Sequence, residues 1–110
     1  MYRNNLIACL LVACSAGTGY AGEPTTERQK ELVRLVRQDC GSCHGMTLAG
    51  GLGTPLLPAT LKDKSAEGLV ATILLGRPGT AMPPWKPFLS EAEADWIVAQ
   101  LLRGFPEESK

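Results

Sequence analysis

Two cysteines and one histidine stand close together near the middle of the chain, in the run Cys40-Gly41-Ser42-Cys43-His44. This Cys-x-x-Cys-His spacing is the attachment signature of a c-type haem. The thiols of Cys40 and Cys43 would form thioether bonds to the two vinyl groups of the porphyrin. His44 would then meet the iron from one face. The motif therefore predicts one covalently bound haem c with His44 as an axial ligand.

Three other interpretations of these residues are weaker. A redox-active dithiol is expected in a βαβ context, and no alternating, strand-like pattern flanks the motif. A zinc site needs four ligands, but His44 is the only histidine, and the other two cysteines, Cys9 and Cys14, lie near the amino terminus. A structural disulfide would leave His44 without a role. Haem attachment is the interpretation that uses both thiols and the imidazole.

The sixth iron ligand is predicted to be Met82. Methionines usually serve in packing, but Met82 lies 38 residues beyond the only histidine on a proline-rich loop, Gly76 to Trp85. Met1 would leave with a leader, and Met46 follows His44 too closely to reach the opposite face of a haem. A ligating histidine usually donates its second ring N–H to an acceptor that fixes its orientation. The backbone carbonyl of Pro55 is the predicted acceptor.

The first 21 residues resemble an export signal. Arg3 precedes an apolar run, Leu6 to Cys14, that is far shorter than the ~20 residues of a membrane-spanning helix. Cleavage after Ala21 would release a periplasmic domain of residues 22–110. The sequence Leu11-Val12-Ala13-Cys14 alternatively resembles a lipobox, in which case a lipid on Cys14 would anchor the domain to a membrane.

Length and charge restrict the remaining possibilities. A chain of 110 residues forms one domain at most. Residues 22–110 carry ten Lys/Arg and eleven Asp/Glu, so no basic excess indicates nucleic acid binding. A domain this small buries only about 60% of the surface of its unfolded chain. We therefore expect a monomer that depends on its haem for folding.

Three helices are predicted from caps and periodicity. The first begins at Thr25 or Thr26 and runs to about Asp39, and the second covers Ala66 to about Leu75. The third begins at a capping box of Ser90 and Glu93 and ends near Arg103. Its apolar face is expected to pack against the first helix and is formed by Trp96, Ile97, Ala99 and Leu102.

The connecting segments also carry expectations. Glycines follow His44 at positions 45, 50, 51 and 53, and we expect them to let the backbone approach the flat porphyrin closely. The polar tail, Phe105 to Lys110, is expected to fray.

Taken together, these motifs resemble a class I monohaem cytochrome c. The resemblance covers residues 22–110 and rests on the Cys40 to His44 run, on Gly53-x-Pro55-x-Leu57, on Met82-Pro83 and on a final helix containing Trp96. It implies an all-α fold wrapped around one haem, with crossing terminal helices. It also implies His44 and Met82 as axial ligands and Pro55 as the carbonyl partner.

A narrower resemblance is to the small periplasmic cytochromes encoded with nitrite-reductase genes in denitrifying bacteria. It rests on the segments 39–45, 50–55, 76–85 and 89–96. The resemblance implies electron delivery to the nitrite reductase that carries haem c and haem d, or a part in assembling its haem d.

One-electron transfer is the predicted function, because two protein ligands leave the iron no open site for a substrate. The chain is therefore expected not to be an enzyme, and to meet redox partner proteins in small, transient encounters. Four alternatives stay open: an accessory role in haem d assembly, a cytochrome subunit of another dehydrogenase, a peroxidase with a labile Met82, and a redox sensor.

Overall fold

The computed structural model describes residues 22–110. Every regular element in this range is helical, which confirms the predicted all-α class. The α-helices are α1 (Thr26–Leu35), α2 (Gly41–His44), α3 (Pro58–Leu61), α4 (Ala66–Leu75) and α5 (Glu91–Arg103), and a π-helical turn (Val36–Cys40) joins α1 to α2. Within the described residues, no helix is long and apolar enough to cross a membrane. The predicted leader and the cysteines Cys9 and Cys14 lie outside them.

The first helix begins where its cap predicts but changes form near its end. The Thr25 side chain accepts a hydrogen bond from the backbone N–H of Arg28 at 3.2 Å, which satisfies one free donor of the first turn. The α-helix ends at Leu35, and the remaining residues up to Cys40 follow a wider π-helical path. A continuous α-helix to Asp39 was therefore the wrong expectation for this last turn.

The other two long helices match their predicted boundaries closely. Ser65 caps α4 by accepting from the Gly68 N–H at 3.0 Å, and Gly76, at φ 68°, ends the helix. Ser90 and Glu93 form the predicted capping box at the start of α5: the Glu93 N–H donates to the Ser90 hydroxyl at 3.1 Å, and the Ser90 N–H donates to the Glu93 carboxylate at 2.9 Å.

The core joins α5 to both other long helices. Leu32 and Val36 lie in one apolar cluster with Ile97 and Leu101 of α5, so the first and last helices share a core as expected. On the neighbouring face of α5, Ala94 and Val98 pack with Val70 of α4. The remaining members of the first cluster come from the connecting segments: Leu48, Leu61 and Leu89.

One expected core residue of α5 is not buried. Ala99 is exposed, and the buried stripe consists of Ala94, Ile97, Val98 and Leu101. Trp96 and Leu102 are half-buried beside it. The two clusters define the buried side of α5: Ile97 and Leu101 pack in one, Ala94 and Val98 in the other, and position 99 is left in solvent.

Candidate haem site

Cys40 and Cys43 are delivered by two consecutive helical segments. Cys40 is the last residue of the π-helical turn and Cys43 lies in α2, and both are half-buried thiols that form no disulfide. Burial, and to a lesser degree the neighbouring Asp39 carboxylate, raise the pKa of the Cys40 thiol to about 11. A redox-active dithiol instead needs a lowered thiol pKa. The environment of Cys40 therefore disfavours the dithiol interpretation.

His44 has one ring nitrogen fixed by the backbone. Its Nδ1 atom lies 2.7 Å from the carbonyl oxygen of Thr54. A carbonyl oxygen can only accept a hydrogen bond, so Nδ1 carries the hydrogen and donates the hydrogen bond to the Thr54 carbonyl. In this tautomer the lone pair of Nε2 is available to a metal, and the hydrogen bond sets the orientation of the ring.

The acceptor is one residue earlier than predicted, so the assignment of this role to the Pro55 carbonyl is wrong. Gly53 lies directly against the imidazole, where an added Cβ would be 2.7 Å from both Cε1 and Nδ1 of His44. This close approach brings the next carbonyl, that of Thr54, to the ring. Pro55 has a different role: its ring packs against Gly50, with Cγ 3.2 Å from the position that a Cβ would take there.

The glycine-rich loop closes onto the end of α2. The Gly53 N–H donates to the Cys43 carbonyl at 2.7 Å, and the Gly50 N–H donates to the His44 carbonyl at 2.8 Å. A Cβ on Gly51 would lie 2.7 Å from the Cys43 oxygen. In this structure Gly51 approaches the attachment helix and Gly53 approaches His44, and the expectation of an approach to the porphyrin stays a prediction.

Met82 lies on a loop that is fastened to α4. The backbone N–H groups of Trp85 and Lys86 donate to the carbonyls of Ile73 and Leu74 at 2.9 and 3.1 Å. These bonds satisfy carbonyls of the last helical turn, which have no partner within the helix. The Met82 carbonyl accepts from the Arg77 N–H at 3.1 Å. The half-buried thioether of Met82 is thus held on a defined backbone, as an axial ligand requires.

Gly76 is the point at which the Met82 loop leaves α4. It adopts φ 68°, and a Cβ there would lie 2.7 Å from the Met82 oxygen and 2.8 Å from the Pro84 nitrogen. Met46, the alternative methionine, is 66% exposed. Ligation by Met82 across a haem from His44 stays a prediction, and these contacts are compatible with it.

The donor set fits a haem iron better than a zinc ion. Among residues 22–110, no three His, Cys, Asp or Glu side chains converge on a point that could hold a metal ion. The available groups are instead two thiols spaced for thioether bonds, one imidazole with a free Nε2, and one methionine sulfur. This is the set that a c-type haem uses.

The sequence did not reveal Thr54 as a residue of this site, and it assigned Gly53 an approach to the porphyrin, whereas Gly53 lies against His44. A weak signal for Thr54 was present, because a residue that precedes proline favours extended backbone, which turns its carbonyl away from a helical path. Nothing in the sequence alone distinguished the carbonyl of Thr54 from that of Pro55.

Comparison with known proteins agrees with this geometry. Residues 27–101 match the family described as Cytochrome C oxidase, cbb3-type, subunit III. The chain is 53% identical over 94 residues to cytochrome c55X of Paracoccus denitrificans (strain Pd 1222), a match that covers 86% of this chain and 91% of that protein. It is 51% identical over 100 residues to cytochrome c55X of Pseudomonas aeruginosa PAO1, which covers 90% of this chain and 83% of that one.

Two solved structures also resemble this chain. The c-type cytochrome NirC superposes with a TM-score of 0.73 at 53% identity, over 74% of this chain and 95% of that chain. The dihydro-heme d1 dehydrogenase NirN, in complex with DHE, superposes with a TM-score of 0.62 at 38% identity, over 74% of this chain but only 17% of that one. The shared unit in NirN is therefore a small part of a larger protein.

The matches cover most of the length of both c55X cytochromes and of NirC. Proteins named cytochromes carry electrons rather than convert substrates. The all-α architecture and the arrangement around His44 are in agreement with them. The chain belongs to the cytochrome c family: it is an electron-transfer protein with the class I fold, similar to cytochrome c55X and NirC.

Proposed function

We propose that this chain is a periplasmic carrier of single electrons that holds one haem c. Cys40 and Cys43 would supply the thioether bonds, and His44 and Met82 the axial ligands. The observation that carries the proposal is the 2.7 Å contact between His44 Nδ1 and the Thr54 carbonyl oxygen, which places the hydrogen on Nδ1 and leaves Nε2 of the neutral ring to bind an iron. The 53% identity to the c-type cytochrome NirC supports it.

The chain's own residues account for the properties that a carrier needs. A bound haem supplies a one-electron redox centre, and two axial protein ligands leave it no open coordination position. The bond from His44 to Thr54 raises the basicity of the imidazole and prevents the ring from rotating. The loop that carries Met82 is fastened to α4 at Trp85 and Lys86, which keeps the sulfur in place in both redox states.

We propose the nitrite reductase that carries haem c and haem d as the partner system, in denitrification. The narrower sequence resemblance implies electron delivery to that enzyme. A second candidate is an accessory role in haem d assembly. It is favoured by one specific observation, the 40% identity over 74 residues to a protein named dihydro-heme d1 dehydrogenase, of which the match covers 15%.

Deleting the gene distinguishes the two candidates. If the chain donates respiratory electrons, nitrite reductase purified from the deletion strain contains its full complement of haem d, and its reduction in cell extracts is slow until this cytochrome is added. If the chain serves assembly, the purified reductase lacks haem d. A complete reductase that is reduced at the normal rate without this cytochrome would contradict both candidates.

We propose a docking surface that includes exposed cations on and beside the Met82 loop. The cations of α1 and the π-helical turn, Arg28, Lys30, Arg34 and Arg37, are all paired with carboxylates. In the described range, Lys62, Lys64, Arg77 and Lys86 are exposed and take part in none of the ion pairs found there. Exposed charges of one sign steer a partner of the opposite sign and raise the association rate.

Stopped-flow reduction of nitrite reductase tests this steering. The proposal predicts a rate that falls as ionic strength rises and that falls further in a Lys62→Gln/Lys86→Gln variant. Lys30→Gln is the matched control, because Lys30 is already paired with Glu27 at 3.3 Å. A rate independent of ionic strength would remove the steering surface from the proposal and leave electron transfer itself in place.

The location of the protein is also a proposal. We infer export through residues 1–21 and a soluble periplasmic form, with membrane attachment only if Cys14 is lipidated. The intact mass of the exported protein reports the cleavage site, a lipid on Cys14 and a bound haem in one measurement. A mass that still contains residues 1–21 would contradict cleavage.

A further inference from the structure

The most unusual side chain outside the haem site is that of Arg37. It is the one buried charged residue among those described, at 9% exposure. A buried cation is costly unless its donors are satisfied. Arg37 satisfies them on the carboxyl-terminal tail: Nη2 donates to the Phe105 carbonyl at 2.7 Å and to the Pro106 carbonyl at 3.0 Å, and Nε donates to the same Pro106 oxygen at 3.1 Å.

Arg37 also contacts side chains of the tail. The Arg37 guanidinium also contacts the Glu107 carboxylate at 3.2 Å and lies 5.6 Å from the centre of the Phe105 ring. Phe105 in turn meets Trp96 of α5 edge-on, with ring centres 6.4 Å apart. The expectation of a frayed tail is therefore wrong for residues 105–108, because backbone acceptors and an aromatic pair hold them.

Two neighbours on the same helical surface reinforce the arrangement. Arg34 and Gln38 both donate to the Glu108 carboxylate at 3.3 Å. We call the contacts of Arg34, Arg37 and Gln38 with residues 105–108 the tail clasp. Glu107 is 90% exposed, so its ion pair contributes little. The two backbone carbonyls are the acceptors that matter for Arg37.

The tail clasp connects the carboxyl-terminal tail to the segment that precedes the first haem cysteine. Arg37 lies in the π-helical turn Val36–Cys40, a rare form that occurs mostly as single turns at functional sites. The turn lets Arg37 reach the tail while Val36, fully buried, stays in the core. If the turn relaxed to an α-helix, Cys40 would rotate by roughly 100°, the angle of one residue.

We propose that Arg37 is a positioning residue for haem attachment: by binding the carbonyls of Phe105 and Pro106 it holds the π-helical turn that orients Cys40. This rests on the proposed function, because it assumes that Cys40 forms a thioether. Each thioether forms by addition of a thiol S–H across a vinyl C=C, so no group leaves and the mass gain equals the haem. Residues 105 and 106 thus contribute to a site more than 60 residues away in sequence.

Intact mass and peptide mapping of the exported full-length protein test the proposal. Arg37→Lys keeps the charge, but a single ammonium does not reproduce the planar fork of the guanidinium. We expect the fraction of chains with a thioether at Cys40 to fall to about half or less of the parent value, with Cys43 still linked, because only the Arg37 fork is lost. A chain that ends at Gly104 lacks both carbonyl acceptors and should show the same loss of the thioether at Cys40.

Two control variants keep the carbonyl acceptors. Arg34→Met removes a clasp contact that does not involve Arg37, and Glu107→Gln/Glu108→Gln removes both carboxylates of the tail while the peptide carbonyls of Phe105 and Pro106 stay in place. Both are expected to retain parental attachment at Cys40. Parental attachment in Arg37→Lys would overturn the proposal. If the parent protein carries no haem at either cysteine, the proposed function is contradicted instead. The two failures are therefore distinguishable.

Hydrogen exchange on the purified holoprotein provides a second, independent test that needs no arginine variant. In the chain that ends at Gly104, amides of residues 36–41 should exchange about tenfold faster than in the parent, while those of α4 stay protected, because opening would be local. Uniform acceleration over all helices would indicate general destabilisation and would overturn the positioning role. Unchanged exchange in residues 36–41 would overturn it as well.

Discussion

The Nδ1 atom of His44 lies 2.7 Å from the carbonyl oxygen of Thr54. The residue before Thr54 is a glycine so close to the imidazole that an added Cβ would lie 2.7 Å from Cε1 and Nδ1. The backbone of residues 53 and 54 therefore restricts the position of the ring. The availability of Nε2 for an iron follows from the hydrogen bond between Nδ1 and Thr54.

Replacement of Gly53 by alanine is predicted to damage the site. The added Cβ would lie 2.7 Å from Cε1 and Nδ1 of His44, so the ring or the loop must move. We expect the free energy of unfolding of the holoprotein to fall by about 1–3 kcal/mol, the usual cost of overpacking, and the absorption spectrum to change. Denaturant titration and visible spectroscopy measure both effects.

Thr54→Val is the matched control for Gly53→Ala. The Thr54 side chain is exposed, and the hydrogen bond uses the backbone carbonyl, so stability should stay within about 0.5 kcal/mol of the parent. A Gly53→Ala protein with parental stability and spectrum would mean that the ring is not held by this backbone.

Removal of both attachment cysteines is predicted to unfold the domain. The described range is 89 residues long, and a domain of this size is marginal without additional stabilisation. We expect Cys40→Ala/Cys43→Ala to lose most of its helical circular dichroism signal at 25 °C. Ser42→Ala, which alters an exposed residue between the two cysteines, should keep it. Native helicity in the double variant would contradict the dependence of folding on haem.

Acid sensitivity is predicted at the start of α5. The Arg28 guanidinium, hydrogen-bonded to the Glu93 carboxylate, holds the pKa of that carboxyl below its usual range. A lowered folded-state pKa stabilises the protein above the unfolded-state pKa of about 4.3, and this stabilisation is lost as pH falls through the folded-state pKa. Gln at this position keeps the capping box, so we expect Glu93→Gln to cost only the ion pair with Arg28, about 0.5–1 kcal/mol at pH 7, and almost nothing at pH values near 2.

Glu91→Gln serves as the control for this titration, because Glu91 lies in the same first turn but is exposed and makes no ion pair within residues 22–110. Its effect should be small at every pH. If Glu93→Gln destabilised the protein equally at pH 7 and at low pH, packing rather than charge would explain the role of Glu93.

Most of the fold could be predicted from the sequence, because local chemistry determines where its helices begin and end. The caps at Thr25, Ser65 and Ser90 and the glycine stops at Gly76 and Gly104 act within a few residues of the positions they define. The motif at Cys40 to His44 is equally local. These features needed no knowledge of the tertiary structure.

The features that the sequence did not reveal all depend on contacts between distant segments. Nothing in the local sequence distinguishes Arg37 from the other cations of the first helix, and its burial involves a tail almost 70 residues later. Arg37 also lies in the π-helical turn, which no local pattern predicted. The choice of Thr54 over Pro55 depends on how closely Gly53 approaches His44, a tertiary distance that spacing alone does not determine.

The ferric absorption spectrum of a Met82→Ala protein, compared with the parent and with Met46→Leu, tests the axial ligation most directly. A methionine sulfur bound to ferric haem iron gives a weak charge-transfer band. We predict that this band is present in the parent and in Met46→Leu and absent in Met82→Ala, whose midpoint potential should fall by on the order of 100 mV. A Met82→Ala protein that keeps the band, or a Met46→Leu protein that loses it, would contradict the account.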